Sequence, residues 1–317
     1  MERTLATGVL CTFLGLLSYA SAQQPASVTA SSDELWIDPV DLERRDLFRG
    51  PSGGPSPPTA SDQFEFVARD TSGRSPGYDV RDRNGTVWSV KLGPEAQSEV
   101  VASRILWAIG FHQPPTYYLP SWTLTGQDAG PKEGGRFRPE IDEWKVVGDW
   151  DWTEYPHSRS PYNGGLLVAQ MFINNWDLKT SNNKVIERTG STGRSRLYVA
   201  RDLGASLGSN EQAKWLRWTN LRISQGSKND LPGFEESGFI DGVEGGYVKF
   251  SYSGPNKPIV SAIQPSHVVW TATLLSRLSD EQWHDAFRAG GYSREDAGRY
   301  IAKFKQKIAV GMALESR

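Results

Sequence analysis

Cysteine is all but missing from this chain: Cys11 is the single one among 317 residues, so no internal disulfide and no cysteine-based zinc cluster can form. Histidine is scarce too. His112, His157, His267 and His284 show no H-E-x-x-H or other zinc spacing. No G-x-S-x-G elbow is present, which removes the usual signal of an α/β-hydrolase. An excess of either charge is also lacking: 35 Lys and Arg face 37 Asp and Glu, a net charge of −2. That balance leaves no electrostatic footprint for nucleic acid and no polybasic membrane patch. No apolar run reaches the roughly 20 residues of a bilayer span, and no repeat of 20–50 residues is visible. Tryptophan, in contrast, is plentiful, with 12 residues to bury or to present.

The first residues read as a leader. Arg3 precedes an apolar run from Thr7 to Leu17, and the small residues Ala20-Ser21-Ala22 follow. This is the order of a cleavable secretory signal peptide, with cleavage expected after Ala22 and a secreted or periplasmic product without a transmembrane anchor. Cys11 leaves with the leader, so stability must come from the core. Residues 23–61 are rich in Ser, Pro and Gly, and Gly50–Pro58 has linker composition. Within them the segment Glu34–Glu43 either straps onto the surface or stays mobile. The remaining body is large enough for two lobes, expected at 62–120 and 121–317.

Alternation of apolar and polar residues predicts strands at 63–69, 78–82 and 86–92, with a hairpin turn at Arg83-Asn84-Gly85. Apolar residues at helical spacing then predict a helix over 94–109, stopped by Gly110. Residues 114–124 read as extended. The Trp-rich stretch 125–161, with Trp144, Trp150 and Trp152, reads as an irregular insertion. A buried helix is expected over 164–174, then a hairpin with arms 184–188 and 195–200, then irregular chain over 202–263. Helices are expected to start at Ser266, at the capping box of Ser279-Asp280-Glu281-Gln282, and at Ser293.

One set of residues suits phosphoryl transfer. Lys91 ends a strand and Glu99 lies on the next helix. Asp177-Leu178-Lys179-Thr180-Ser181-Asn182 follows a buried helix, and Asp202-Leu203-Gly204 closes the hairpin. This order resembles the protein-kinase-like superfold, whose catalytic loop H-R-D-L-x-x-x-N has the same Asp-to-Asn spacing and whose D-F-G is similar to Asp-Leu-Gly. It is more similar to the atypical branch, the HipA-type kinases and bacterial phosphatidylinositol 3-/4-kinase-like proteins. The short Val90-Lys91-Leu92, the early Glu on a helix that stops at a Gly, and the approach Asn174-Asn175-Trp176 to Asp177 carry that likeness. The chain departs from the pattern in having no G-x-G-x-x-G and no A-P-E. Asn175-Trp176 stands for His-Arg, and Leu203 for Phe.

The resemblance implies an α+β, two-lobed kinase-like fold: a small antiparallel sheet-plus-helix lobe and a larger, mainly helical one. It implies ATP and Mg²⁺ as cofactors. Lys91 would hold the α- and β-phosphates, oriented by Glu99, with Glu95 as a competing partner. Backbone groups around Ser72 and Gly73 would cover the phosphates. Asn182 and Asp202 would bind the metal, with Asn183 as an alternative to Asn182. Asp177 would take the proton of the acceptor hydroxyl, and Lys179 would neutralise the transferred group. The acceptor would be a protein, lipid or glycan hydroxyl. A kinase-shaped binding protein without turnover and a nucleotidyl transferase are the alternatives. Arg201 reads as a surface Arg or a phosphate ligand. Trp144, Trp150 and Trp152 read as packing or as an aromatic platform, and the Gly-rich stretch holding Asp241 and Glu244 as a plain loop or a calcium or substrate loop.

Overall fold

The computed structural model describes residues 31–71, 76–190, 193–210, 226–252, 254 and 256–316. The expected leader lies outside them, as do Ser72 and Gly73. The architecture is α+β. Strands β1 (Gln63–Asp70), β2 (Gly77–Arg81) and β3 (Val87–Lys91) lead into helix α1 (Glu95–Ala108), followed by β4 (Tyr117–Thr125) and β5 (Gly130–Pro139). The five strands close in the order β1-β2-β3-β5-β4, because Gln63–Glu65 of β1 pairs in parallel with Thr123–Thr125 of β4. The antiparallel sheet expected from sequence is therefore a barrel with one parallel seam, and it runs past residue 120 to Pro139. Local alternation cannot announce a seam between segments 60 residues apart. Phe64, Val80, Trp88, Val90, Trp122 and Phe137 fill the interior.

Strand β5 falls in the stretch whose composition predicts an irregular insertion, because it carries three Gly and two Pro. Its small residues answer a packing demand. A Cβ on Gly135 would come within 3.0 Å of both Trp122 and Phe137. Helix α1 ends where expected. Gly110 has φ +99°, and a Cβ there would fall 2.3 Å from the Ile37 carbonyl oxygen, so only glycine fits.

The rest of the chain holds a second sheet and a helical body. Strands β6 (Trp144–Asp149), β7 (Asn183–Gly190) and β8 (Gly193–Ala200) form the sheet, with α2 (Pro161–Phe172) between β6 and β7 in sequence. β6 gave no strand signal because five of its six residues are exposed, so no apolar alternation marks it. Then come α3 (Leu231–Glu236), the hairpin β9 (Ile240–Glu244) and β10 (Tyr247–Phe250), α4 (Lys257–Val260), α5 (Pro265–Ser276), α6 (Asp280–Ala289) and α7 (Arg294–Met312). These elements correct the expectation of irregular chain over 202–263, and place Asp241 and Glu244 on a hairpin strand. Ser279 and Gln282 form the expected capping box, and Ser293 caps α7. For α5 the cap is Gln264 rather than Ser266. From α7, the buried Lys307 donates to the Phe172 carbonyl at 2.9 Å and to Asn174 Oδ1 at 2.7 Å, closing the C-terminal end of α2.

Residues 31–50 pack against the body. Leu35, Leu42 and Leu47 are buried, and the Trp36 indole stacks on Tyr162 of α2 at 4.5 Å. This segment also caps α1: Trp36 Nε1 donates to the Ile109 carbonyl at 2.7 Å and Arg45 to that of Trp107. On its other side, Gln282 of α6 donates to the Leu42 carbonyl at 2.8 Å. The strap thus ties the end of α1 to the helical body. Trp36→Phe keeps an aromatic ring against Tyr162 but loses the pyrrole N–H and strands a buried carbonyl. It is expected to lower unfolding free energy by about 1–2 kcal/mol, read from urea denaturation.

Candidate active site

Lys91, at the end of β3, is the node. Its Nζ lies 3.0 Å from Asp202 Oδ1, 3.1 Å from Glu99 Oε2 and 3.4 Å from Glu95 Oε2. Both acids weighed as partners are therefore engaged, and Glu95 is shared with Lys228. Burial works against the Lys91 charge, but Glu99 and then Asp202 outweigh it and raise its pKa.

Glu99 is 1% exposed and sits among three cations. Oε2 faces Lys91, while Oε1 faces Arg136 Nε at 3.2 Å and the Arg138 guanidinium. Burial opposes its ionisation, yet Arg136, Lys91 and Arg138 together hold its carboxyl far below the usual carboxylate range. The sequence reading missed both arginines. Their signal was the triplet Arg136-Phe137-Arg138 in β5: Phe137 points into the barrel, so its two neighbours point out, toward α1.

Asp202 sits half exposed, just after β8. Its N–H donates to the Asn182 carbonyl at 3.1 Å, and that of Arg201 does so at 3.0 Å. The Ser98 hydroxyl of α1 donates to the Gly204 carbonyl at 2.9 Å, so the turn after Asp202 is anchored to α1. Arg138 adds a second tie at 3.3 Å to the Arg201 carbonyl.

Asp177 is held by its approach. Asn174 adopts φ +53°, which Asn tolerates, and donates to the Gly208 carbonyl at 2.7 Å. Asn175 Oδ1 accepts from the Asp177 N–H at 3.1 Å. The Trp176 indole donates to the Ser227 carbonyl at 3.0 Å, and its carbonyl accepts from the Tyr252 hydroxyl at 2.9 Å. Asn182 Nδ2 then donates to the Asp177 carbonyl at 2.6 Å and to Oδ2 at 3.2 Å. The half-exposed Lys179 reaches Asp177 Oδ1 at 2.8 Å.

Two groups thus form, Lys91–Glu99–Asp202 and Asp177–Lys179–Asn182, joined through the Asn182 carbonyl. Asn183 does not join them: it is buried, and its amide donates to the Trp150 carbonyl. Trp150 and Trp152 are buried packing residues. Beside the first group lies a cleft of about 390 Å³ lined by Arg138, Arg201, Pro114, Ile141, Trp144 and Ile186. Arg201, read as a surface residue or phosphate ligand, is largely buried against it.

The chain matches no protein-family model and no curated protein. Among solved structures it is similar to that of the Helicobacter pylori proinflammatory kinase CtkA. The two share 11% identity and superpose with a TM-score of 0.46, over 81% of this chain and 98% of that chain.

Proposed function

We propose that this chain is an exported, kinase-like phosphotransferase that moves a phosphoryl group from a nucleoside triphosphate, ATP by the sequence resemblance, to an acceptor hydroxyl of a protein, lipid or glycan. In this reading the barrel with α1 is the small lobe, the remainder is the larger lobe, and the leader ends at Ala22. One observation carries it. Lys91, Glu99 and Asp202 come from a strand, a helix and a turn, with Lys91 and Asp202 111 residues apart, and meet within about 3 Å.

A divalent metal fits the donor set. Among the described residues no group of three His, Cys, Asp or Glu could hold a metal alone. Asp202 and Asn182 nevertheless each offer a hard side-chain oxygen, and the Asp202 N–H donates to the Asn182 carbonyl, which ties the two residues together. Asn182 spends its Nδ2 on Asp177, which leaves Oδ1 for a cation. Two protein oxygens, completed by phosphate and water, suit Mg²⁺, which rarely takes an all-protein cage. When bound, the metal neutralises phosphate charge.

The chain's residues do the rest. Lys91 holds phosphate oxygens as a point charge, fixed by Glu99. Asp177, with Asn182 and Lys179 fixing its carboxylate, receives the acceptor proton. Lys179, paired with that carboxylate, neutralises charge on the moving group.

The test uses purified protein, Mg²⁺ and nucleotide labelled at the α- or γ-phosphate. Asp177→Asn is expected to keep nucleotide affinity and to lose γ-label transfer by about 10²–10⁴-fold, since a general base contributes roughly that much. Transfer of the α-label instead would make the chain a nucleotidyl transferase. A wild-type protein with neither a nucleotide-dependent thermal shift nor label transfer would leave a kinase-shaped binding protein.

A further inference from the structure

This inference rests on the nucleotide-binding reading and names the base. The cleft beside Arg138 has apolar walls, Ile141, Trp144 and Ile186, spaced around about 390 Å³, ample for one flat ring. Its charged groups are of both signs: Arg138, Arg201 and the exposed Lys145 donate, while Glu140 and Asp142 accept. On the inner side, Arg138 is already committed to Glu99 and to the Arg201 carbonyl. Arg201 is not: among the described residues it enters no salt bridge, and its Nε has no hydrogen-bond partner. A guanidinium only donates. Glu140 and Asp142 line the same cleft, both exposed and in no salt bridge among the described residues, and ionised carboxylates only accept.

A ring seated there must present acceptors to Arg201 and Lys145 and donors to the acids. Guanine does this: O6 and N7 accept on one edge, while N1–H and the N2 amine donate on another. Adenine places its N6 amine next to N7, so a donor would face a donor. We propose that the cleft is built for a 6-oxopurine, that is, a guanine-type nucleotide, with Arg201 as the residue that reads it. Guanine nucleotide then replaces ATP as the expected phosphoryl donor.

The experiment measures binding by calorimetry, with Mg²⁺, of GDP, ADP and inorganic tripolyphosphate to the full mature chain and to Arg201→Gln. Wild type is expected to bind GDP at least about tenfold more tightly than ADP, the discrimination a bidentate Arg–guanine pair supplies. In Arg201→Gln that preference should vanish, because a carboxamide pairs with adenine, while tripolyphosphate affinity stays unchanged. Equal or tighter ADP binding by wild type overturns the inference, whatever the variant does. An equal loss of tripolyphosphate and GDP affinity in the variant also overturns it, since Arg201 would then hold phosphate. Failure of wild type to bind any of the three removes the phosphotransferase reading, and this inference with it.

Discussion

Lys91→Met is expected to cut phosphoryl transfer by about 10²–10³-fold, the loss typical of removing one preorganised charge from a site of this kind. The fold should survive it. Glu99 would keep Arg136 at 3.2 Å and Arg138, and the half-exposed Asp202 can be solvated by water. The methionine stem occupies much of the volume of the lysine stem. Unfolding should therefore shift little while transfer collapses, and that split separates a phosphate ligand from a structural ion pair. Lys91→Arg should not restore transfer, because a rigid planar fork cannot replace a compact ammonium wedged among Glu95, Glu99 and Asp202. Calorimetric titration of Mg²⁺–nucleotide and a label-transfer assay check both. Transfer by Lys91→Met within a fewfold of wild type would end the assignment of Lys91 to the phosphates.

What the sequence disclosed and what it hid follow one physical divide. Lys91, Glu99, Asp177, Asn182 and Asp202 stood out because each lies at a punctuated place: a strand end, an early helix turn, a loop between two Asn, a turn ending in Gly. Local pattern suffices for such positions. Arg136 and Arg138 lie in a strand broken by Gly and Pro, whose reason to be a strand is its pairing with β3 and β4. The closure of β1 on β4 and the capping of α1 by Trp36 and Arg45 also depend on partners distant in sequence. β6 is exposed on nearly every residue and is held by its ladder with β7, so composition alone made it look like loop. The helical end was the easiest part to read, because Ser279 and Ser293 cap within three residues of themselves.

Glu99→Gln should produce the largest change in stability, about 3–5 kcal/mol, the usual consequence of deleting one member of a buried ion cluster. The substitution keeps the shape of the side chain and removes only its charge. Arg136, Arg138 and Lys91 would then converge on a neutral amide whose own N–H groups face donors. Arg138 suffers most: burial, then Arg136 and Arg201, already pull its pKa well below that of a free guanidinium, and Glu99 is the first of the acids that oppose them. The effect also has a pH signature. The folded Glu99 carboxyl titrates far below its ordinary value of 4.5. Its contribution is therefore fully present above about pH 4.5 and fades only as the pH falls below that value toward the depressed folded pKa. Wild type and Glu99→Gln should differ by a constant amount from neutral pH down to about pH 5, and converge only in stronger acid. Urea denaturation of both proteins across that range measures it. A difference that vanishes near neutral pH, or one below about 1 kcal/mol throughout, would mean that the three cations do not depend on Glu99 and that water reaches them in solution.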